Sequence, residues 1–271
     1  MILEALLANA AILLGVMLIL WVIAVQIRDV SFIDSVWGAG MVLLALISWR
    51  QLAAPGYLAT LILAMTAIWG LRLAIHLFLR WRREGPDKRY ERLLSKDREK
   101  GRWASAALVK VFLAQAVLLF IVSSPAQYGI LEAGTGQQIS GLALLGLALW
   151  AVGIAFEWIG DWQLARFKSD PANAGKVMDR GLWGWTRHPN YFGDACVWWG
   201  IWIAAASAGW WVAAATVIGP IFLTFTLMKW SGAALLEKGM EKSRPDYADY
   251  QRRVSAFFPR PPKRRIGDEG L

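Results

Sequence analysis

Seven apolar runs, each close to the length that crosses a bilayer, dominate this sequence and leave few folds open to it. They lie near residues 5–26, 31–49, 57–79, 104–124, 139–160, 191–207 and 210–230. A hydrocarbon layer takes about 20 helical residues to cross. Inside it every peptide group must find its partner within the chain, so the runs are predicted to be helices. The chain is 57% hydrophobic, with 17 Trp among 271 residues, more apolar matter than one soluble core can cover. The first run lacks a positive flank and a small-residue cleavage site, which predicts a retained span. The expected fold is an all-α integral membrane protein with seven transmembrane helices.

Charge orients these spans. Residues 80–102 carry ten Lys or Arg, the loop at 125–138 carries none, and the tail from 238 onward carries nine. By the positive-inside rule the N-terminus is expected outside and the C-terminus in the cytoplasm. A formal net charge of +9 could suggest nucleic acid. The basic residues fall at membrane borders, however, where anionic lipid attracts them, so membrane lipids are the expected partner and nucleic acid is not. Cys196 is the single cysteine, which excludes an intramolecular disulfide and a cysteine-based metal site. There is no G-x-G-x-x-G, no Walker A and no G-x-S-x-G pattern, and two His with one Cys make no zinc constellation. No obligate protein partner is implied.

One membrane domain over 1–271 is the economical division, with a substrate-side part at 1–124 and a chemically denser part at 125–271. Charges inside spans cost about 2.5–3.5 kcal/mol and are functional candidates for that reason. Asp34 opens the second span, and Trp69, Arg72 and His76 share one face of the third. An acid, a guanidinium and an imidazole could meet there, or Asp34 and Arg72 could simply neutralise each other. Lys110 and Lys229, near span ends, are expected to snorkel. Glu157 and Asp161 are spaced i, i+4, and Lys168 follows on the same face. Asn190 and Asp194 repeat that spacing, with Tyr191 between them. His188-Pro189 reads as a helix start, since proline suits the first turn, and the exposed amides there favour an anion. Arg187, Lys168 and Arg180 could add charge for a phosphate. In the tail, Arg244, Tyr247 and Tyr250 at i, i+3, i+6 could cover a nucleotide or lie on headgroups.

The segments GLWGWTRHPNYFGD, DWQLARFK, DSVWG, WGLRLAIHLFLRW and a tail of the form E-x-x-x-E…Y-x-x-Y…FFP together resemble the steroid 5-alpha-reductase superfamily, in its bacterial seven-helix branch. The isoprenylcysteine carboxyl methyltransferases share RHP-x-Y-x-G and a similar tail. The resemblance implies NADPH-dependent reduction of a carbon-carbon double bond conjugated to a ketone, in a 3-oxo-delta-4 steroid or similar lipid drawn from the bilayer. It implies a bacterial inner membrane with the cofactor on the cytoplasmic side. By position, Asn190, Tyr191 and Asp194 match cofactor contacts near the nicotinamide and ribose, and Asp161 and Lys168 match contacts on the fifth helix, Lys168 on a phosphate. Arg83 matches a basic position after the third helix, and Glu237, Arg244 and Tyr250 match the tail that closes over the nucleotide. Trp183, Arg187 and His188 complete the loop side.

The substrate side departs from that pattern. The animal enzymes of the family place Gln-Glu in the second helix and Tyr in the third, where this chain has Ile33-Asp34 and Trp69. Asp34 keeps the carboxyl group, and Trp37, His76 or Tyr90 could supply the second donor. Because burial raises a carboxyl pKa, Asp34 is expected to be protonated and to donate to the ketone oxygen. The competing expectation is an S-adenosylmethionine-dependent methyltransferase, and a non-enzymatic lipid-binding or transport module is a third.

Overall fold

The computed structural model describes residues 1–230, 237, 240 and 244–263. Helix α1 spans Ile2–Ile27, α2 Ile33–Arg50, α3 Tyr57–Glu84 and α4 Lys88–Glu99. Helix α5, Trp103–Val122, contains a π-helical segment at Leu108–Leu113. It is followed by α6 Ser124–Ala133, α7 Gly141–Ser169, α8 Pro189–Ala206, α9 Trp210–Lys229 and the short α10 Tyr247–Arg253. The only β pairing among the described residues is an isolated bridge between Thr186 and Ser255. Six of these helices, α1, α2, α3, α5, α7 and α9, are long and apolar enough to cross a membrane. Helix α8 coincides with the remaining expected span but is not among these six, and it carries Asn190 and Asp194 in its first two turns.

The surfaces of these helices fit a lipid solvent. Leu3, Leu7, Ile19, Ile75, Leu79, Val109 and Val117 are all exposed, a pattern that water would penalise over so large an area. The chain is an integral membrane protein of the helical type.

Two compact units divide the chain, where the sequence suggested one domain changing character near residue 124. The first comprises Met1–Gly146 with Ile201–Gly219, and the second Leu147–Gly200 with Pro220–Leu271. The hairpin around Ser207 joins the first unit because Gln137 Nε2 donates to the Ser207 carbonyl at 2.8 Å and Gly129 leaves just enough room for Ala205.

In the first unit the α2–α3 hairpin is the framework. Its backbones approach at Gly38 and Gly70, where a Cβ on Gly38 would run into the Gly70 carbonyl. Small residues allow such contact between membrane helices, where dispersion replaces the hydrophobic effect as the driving force. Met41, Leu44, Leu58, Ile62, Met65 and Trp69 fill the seam and are buried. A polar knot ties α1 and α6 to it: Asn9 Nδ2 donates to Ser48 Oγ at 2.8 Å and to Gln127 Oε1 at 3.0 Å, while Gln51 donates to Asn9 Oδ1 at 2.9 Å.

In the second unit α7 and α8 cross on glycines. A Cβ on Gly193 would fall 2.6 Å from the Gly153 carbonyl oxygen, and one on Gly160 would fall 3.2 Å from Pro189 Cγ. That contact brings the polar end of α7 beside the start of α8.

Replacing Gly38 by Leu should separate α2 from α3 and cost at least about 3 kcal/mol, the range seen for strong overpacking. Thermal unfolding in detergent should show the loss, whereas Gly15→Leu, with no neighbour within 4 Å of its Cβ position, should leave the midpoint unchanged.

Candidate functional site

Polar side chains gather in two clusters, one in each unit. In the first, Arg28 ends α1 in the left-handed region at φ 58°, turning the chain so that Asp29 can accept from Trp81 Nε1 at 2.8 Å. Asp29 also accepts from the Ser31 hydroxyl, and Ser31 Oγ in turn accepts from the Asp87 amide at 2.9 Å. Asp87 caps α4, accepting from Arg89 N at 2.8 Å. These bonds set the first turn of α4 against the first turn of α2. Arg89 Nη2 then reaches Asp34 Oδ2 at 2.7 Å and Tyr90 Oη donates to Asp34 Oδ1 at 2.7 Å, with Arg80 Nη2 3.8 Å away.

Asp34 therefore takes Arg89, Tyr90 and Arg80 as partners, not Arg72. Because Gly38 faces Gly70 in an antiparallel pair, Asp34 lies one turn before that crossing and meets α3 well past Arg72. In this geometry Asp34 accepts from both partners, one oxygen from a guanidinium and one from a phenol. The donor in the cluster is Tyr90. Burial, then the charge on Asp34, raise its pKa well above that of a free tyrosine, while the Gln115 side chain hydrogen-bonds it in the opposite sense. Gln115 is the one polar side chain in the run Val111–Val122, a signal in the sequence that could have identified it. Of the other candidates, Trp37 is half-buried one turn along α2, His76 is exposed, and Arg83 is exposed and pairs with Glu84 at 3.3 Å. Lys110 does more than snorkel: its ammonium meets Asp97 at 2.6 Å and fastens α4 to α5.

The second cluster is organised by Arg187. Its Nε and Nη2 bond the two oxygens of Glu237 at 2.8 and 3.2 Å, and its Nη1 donates to the carbonyls of Gln251 and Val254 at 3.1 and 2.8 Å. Those carbonyls belong to the last turn and end of α10, where a cation satisfies otherwise orphaned acceptors. His188 Nε2 lies 2.9 Å from Glu237 Oε1, and its ring stacks on Tyr191 with centroids 5.4 Å apart. The backbone adds Arg187 N to Ser255 O at 2.9 Å, and Tyr250 Oη donates to the Trp183 carbonyl at 2.6 Å. Trp183 Nε1 reaches back to the Gly160 carbonyl at 2.9 Å.

Arg187 and His188 thus turn inward and clasp the tail. The guanidinium is occupied by carboxylate and carbonyls, so the phosphate expected on it has to be met by other cations. Pro189 does open α8, and Phe192 N bonds the His188 carbonyl at 3.0 Å as the first helical turn closes. Asn190 Nδ2 lies 3.4 Å from Asp161 Oδ1, the meeting that the Gly160–Pro189 contact allows. Lys168 and Arg180 are exposed, Asp194 and Arg244 are half-buried, and Glu157 is buried. Together these residues offer an amide donor, carboxylate acceptors and cations near one end of α7 and the start of α8. A small apolar cavity of about 130 Å³ lies among Leu149, Phe192, Cys196, Trp199 and Phe257, below the roughly 300 Å³ at which pockets begin to hold drug-sized ligands.

A polytopic helical membrane protein with ionic clusters at helix ends is the class these features define. The chain belongs to the DUF1295 family, described as a protein of unknown function, which matches residues 20–254 and falls within the steroid 5-alpha-reductase-like superfamily. It is similar to an uncharacterized protein of Schizosaccharomyces pombe, 23% identical over 280 residues that cover 89% of this chain and 76% of the yeast protein. No solved structure shows a significant match.

Glu237 carries a pH prediction. Burial pushes its carboxyl up, but hydrogen bonds from His188 and Arg187 outweigh that and lower it from 4.5 to about 2. A depressed carboxyl stabilises the fold above its unfolded value and loses that contribution as pH falls toward the folded one. Hydrogen exchange in α10, corrected for intrinsic rate, should accelerate as pH drops from about 4.5 to about 2. Glu237→Leu, which strands Arg187 and His188, should be weaker by about 3 kcal/mol at pH 7 and show no such acid step.

Proposed function

We propose that the chain is an NADPH-dependent membrane reductase of a conjugated carbon-carbon double bond in a lipid enone, of which a 3-oxo-delta-4 steroid is one example. The observation that carries this reading is the Asp34–Tyr90 pair at 2.7 Å, with Gln115 on the same phenol. The animal members of the superfamily use an acid, a tyrosine and a glutamine around the substrate carbonyl. Here the three residue types come from α2, α4 and α5 in place of two adjacent helices. In the same proposal the seven helices all span, with the N-terminus outside and the nucleotide side facing the cytoplasm of a bacterial cell. The lipid substrate arrives laterally from the bilayer.

NADPH, if bound, would supply a hydride for the β carbon of the enone. As it arrives, negative charge develops on the carbonyl oxygen, and a donor aimed at that oxygen lowers the barrier. Tyr90 is that donor. Its raised pKa keeps the proton on the phenol until the oxygen becomes basic enough to take it. Asp34, held by Arg89, fixes the ring, and Gln115 with Arg89, whose guanidinium carbon is 5.9 Å from the ring centroid, would offset charge left on the phenolate. The ketone reforms when the α carbon takes a proton from solvent and the enol oxygen returns its proton to the Tyr90 phenolate. In the second unit Asp161 and Asn190 offer an acceptor and a donor to ribose or carboxamide, with Tyr191 and Asp194 beside them. Lys168, Arg180 and Arg244 would meet phosphates. Those cations favour a phosphate-bearing cofactor over S-adenosylmethionine.

The test is oxidation of NADPH by the purified full-length chain with a panel of lipid enones, followed at the nicotinamide absorbance. Tyr90→Phe should lower kcat about 100-fold or more, as removal of one oxyanion donor does, with an unchanged unfolding midpoint. Asp34→Asn should retain part of the rate and Asp34→Leu almost none. Full activity in both Tyr90→Phe and Asp34→Leu would move the carbonyl donor elsewhere. Silence with every enone, together with label transfer from S-adenosylmethionine, would replace the reaction class.

A further inference from the structure

The tail borders an open hollow of about 280 Å³ lined by Arg187, Arg252, Arg253, Arg260 and Lys263 together with Gln251, Val254, Ser255, Ala256 and Pro261. Its walls are pinned. Arg187 N bonds Ser255 O at 2.9 Å, Arg260 N bonds Trp185 O at 3.0 Å, and Lys263 N bonds Arg253 O at 3.0 Å. Proline at 261 stiffens the final stretch. Five cations therefore surround one rigid hollow.

Three carboxylates answer them. Glu237 holds Arg187, Asp249 binds Arg252 at 3.2 Å and Arg253 at 2.7 Å, and Asp179 adds a second contact to Arg253 at 3.4 Å. Five cations against three acids leave two positive charges over, and the side chains of Arg260 and Lys263 have no acidic partner among the described residues. That excess suits an anionic phosphate, which two cations can hold through separate oxygens. Beside the cavity stand Trp185 and Phe258, 51% and 58% exposed. Trp185 shares a backbone hydrogen bond with Arg260. Exposed aromatics next to unpaired cations are the pattern of a membrane–water interface, where rings sit at headgroup depth and cations meet lipid phosphate.

We infer that this cavity holds the phosphate of an anionic membrane phospholipid, with Arg260 and Lys263 as its ligands and Trp185 and Phe258 resting in the interface beside it. The site is separate from the Asp34–Tyr90 pair and does not depend on the reductase reading. A bound headgroup would join the tail to the bilayer from the outer side, as Arg187 joins it to α8 from the inner side.

Native mass spectrometry of the full-length chain in detergent tests this, with phosphatidylglycerol, phosphatidylcholine and inorganic phosphate as the probes. The wild type should retain phosphatidylglycerol in preference to phosphatidylcholine, and millimolar inorganic phosphate should not displace it. Arg260→Gln and Lys263→Gln should each weaken retention about fivefold, and the pair together about thirtyfold, as expected for two interfacial cations. Both side chains are exposed and bond no other side chain, so the unfolding midpoint should hold. The control pair Lys96→Gln and Lys100→Gln removes the same charge from the end of α4 and its C-cap and should leave retention unchanged. Equal retention by wild type and the Arg260/Lys263 double variant would overturn the proposal. So would equal losses in both double variants, or displacement of the lipid by inorganic phosphate, which would make this a site for a soluble anion.

Discussion

A hydrocarbon solvent gives peptide groups no partner outside the chain, and that constraint governs where this protein can keep its chemistry. The spans must be helices, and their charged side chains move toward the ends, where desolvation is partial. Asp34 sits in the first turn of α2, Tyr90 in the first turn of an amphipathic helix outside the spans, and Arg187 and His188 immediately before α8. In the first unit, one polar knot reaches into the bundle with its side chains matched. Asn9, Ser48, Gln51 and Gln127 bond one another, since an unmatched amide in lipid would cost several kcal/mol.

Helix crossings then decide which ends meet. Glycine provides the close approaches at Gly38–Gly70 in the first unit and at Gly153–Gly193 and Gly160–Pro189 in the second. With Gly38 fixed against Gly70, Asp34 is carried past Arg72. With Gly160 against Pro189, Asp161 is carried to Asn190. Polar pairs separated by tens of residues are thus consequences of close approaches in which at least one partner is a glycine.

This explains what the sequence made legible. Apolar run length alone places the helices, since burial in lipid needs only composition and extent. The start of α8 at Pro189 follows from local turn chemistry, and the i, i+4 spacing of Glu157 with Asp161 places them on one helix face. Pairings between helices depend on crossing register, which periodicity does not contain. Arg72 was a plausible partner for Asp34 on helix faces alone, and Arg89 was hidden in a charge-rich stretch where no single cation stands out. The inward turn of Arg187 was equally invisible, because its partners are carbonyls of Gln251 and Val254 and carbonyls carry no residue identity.

The two clusters share one plan: a carboxylate between a guanidinium and the polar atom of an aromatic ring, Arg89–Asp34–Tyr90 in one unit and Arg187–Glu237–His188 in the other. Exposure separates their uses. Arg187, His188 and Glu237 are 11%, 7% and 15% exposed, and opening such a set would leave charge stranded at a cost of about 3–5 kcal/mol. Arg89 and Asp34 are 45% and 22% exposed, and exposed ion pairs contribute about 1 kcal/mol or less. The sealed version of the motif holds the tail. On the proposed reading, a substrate oxygen would compete for the Tyr90 proton in the open version without dismantling the fold.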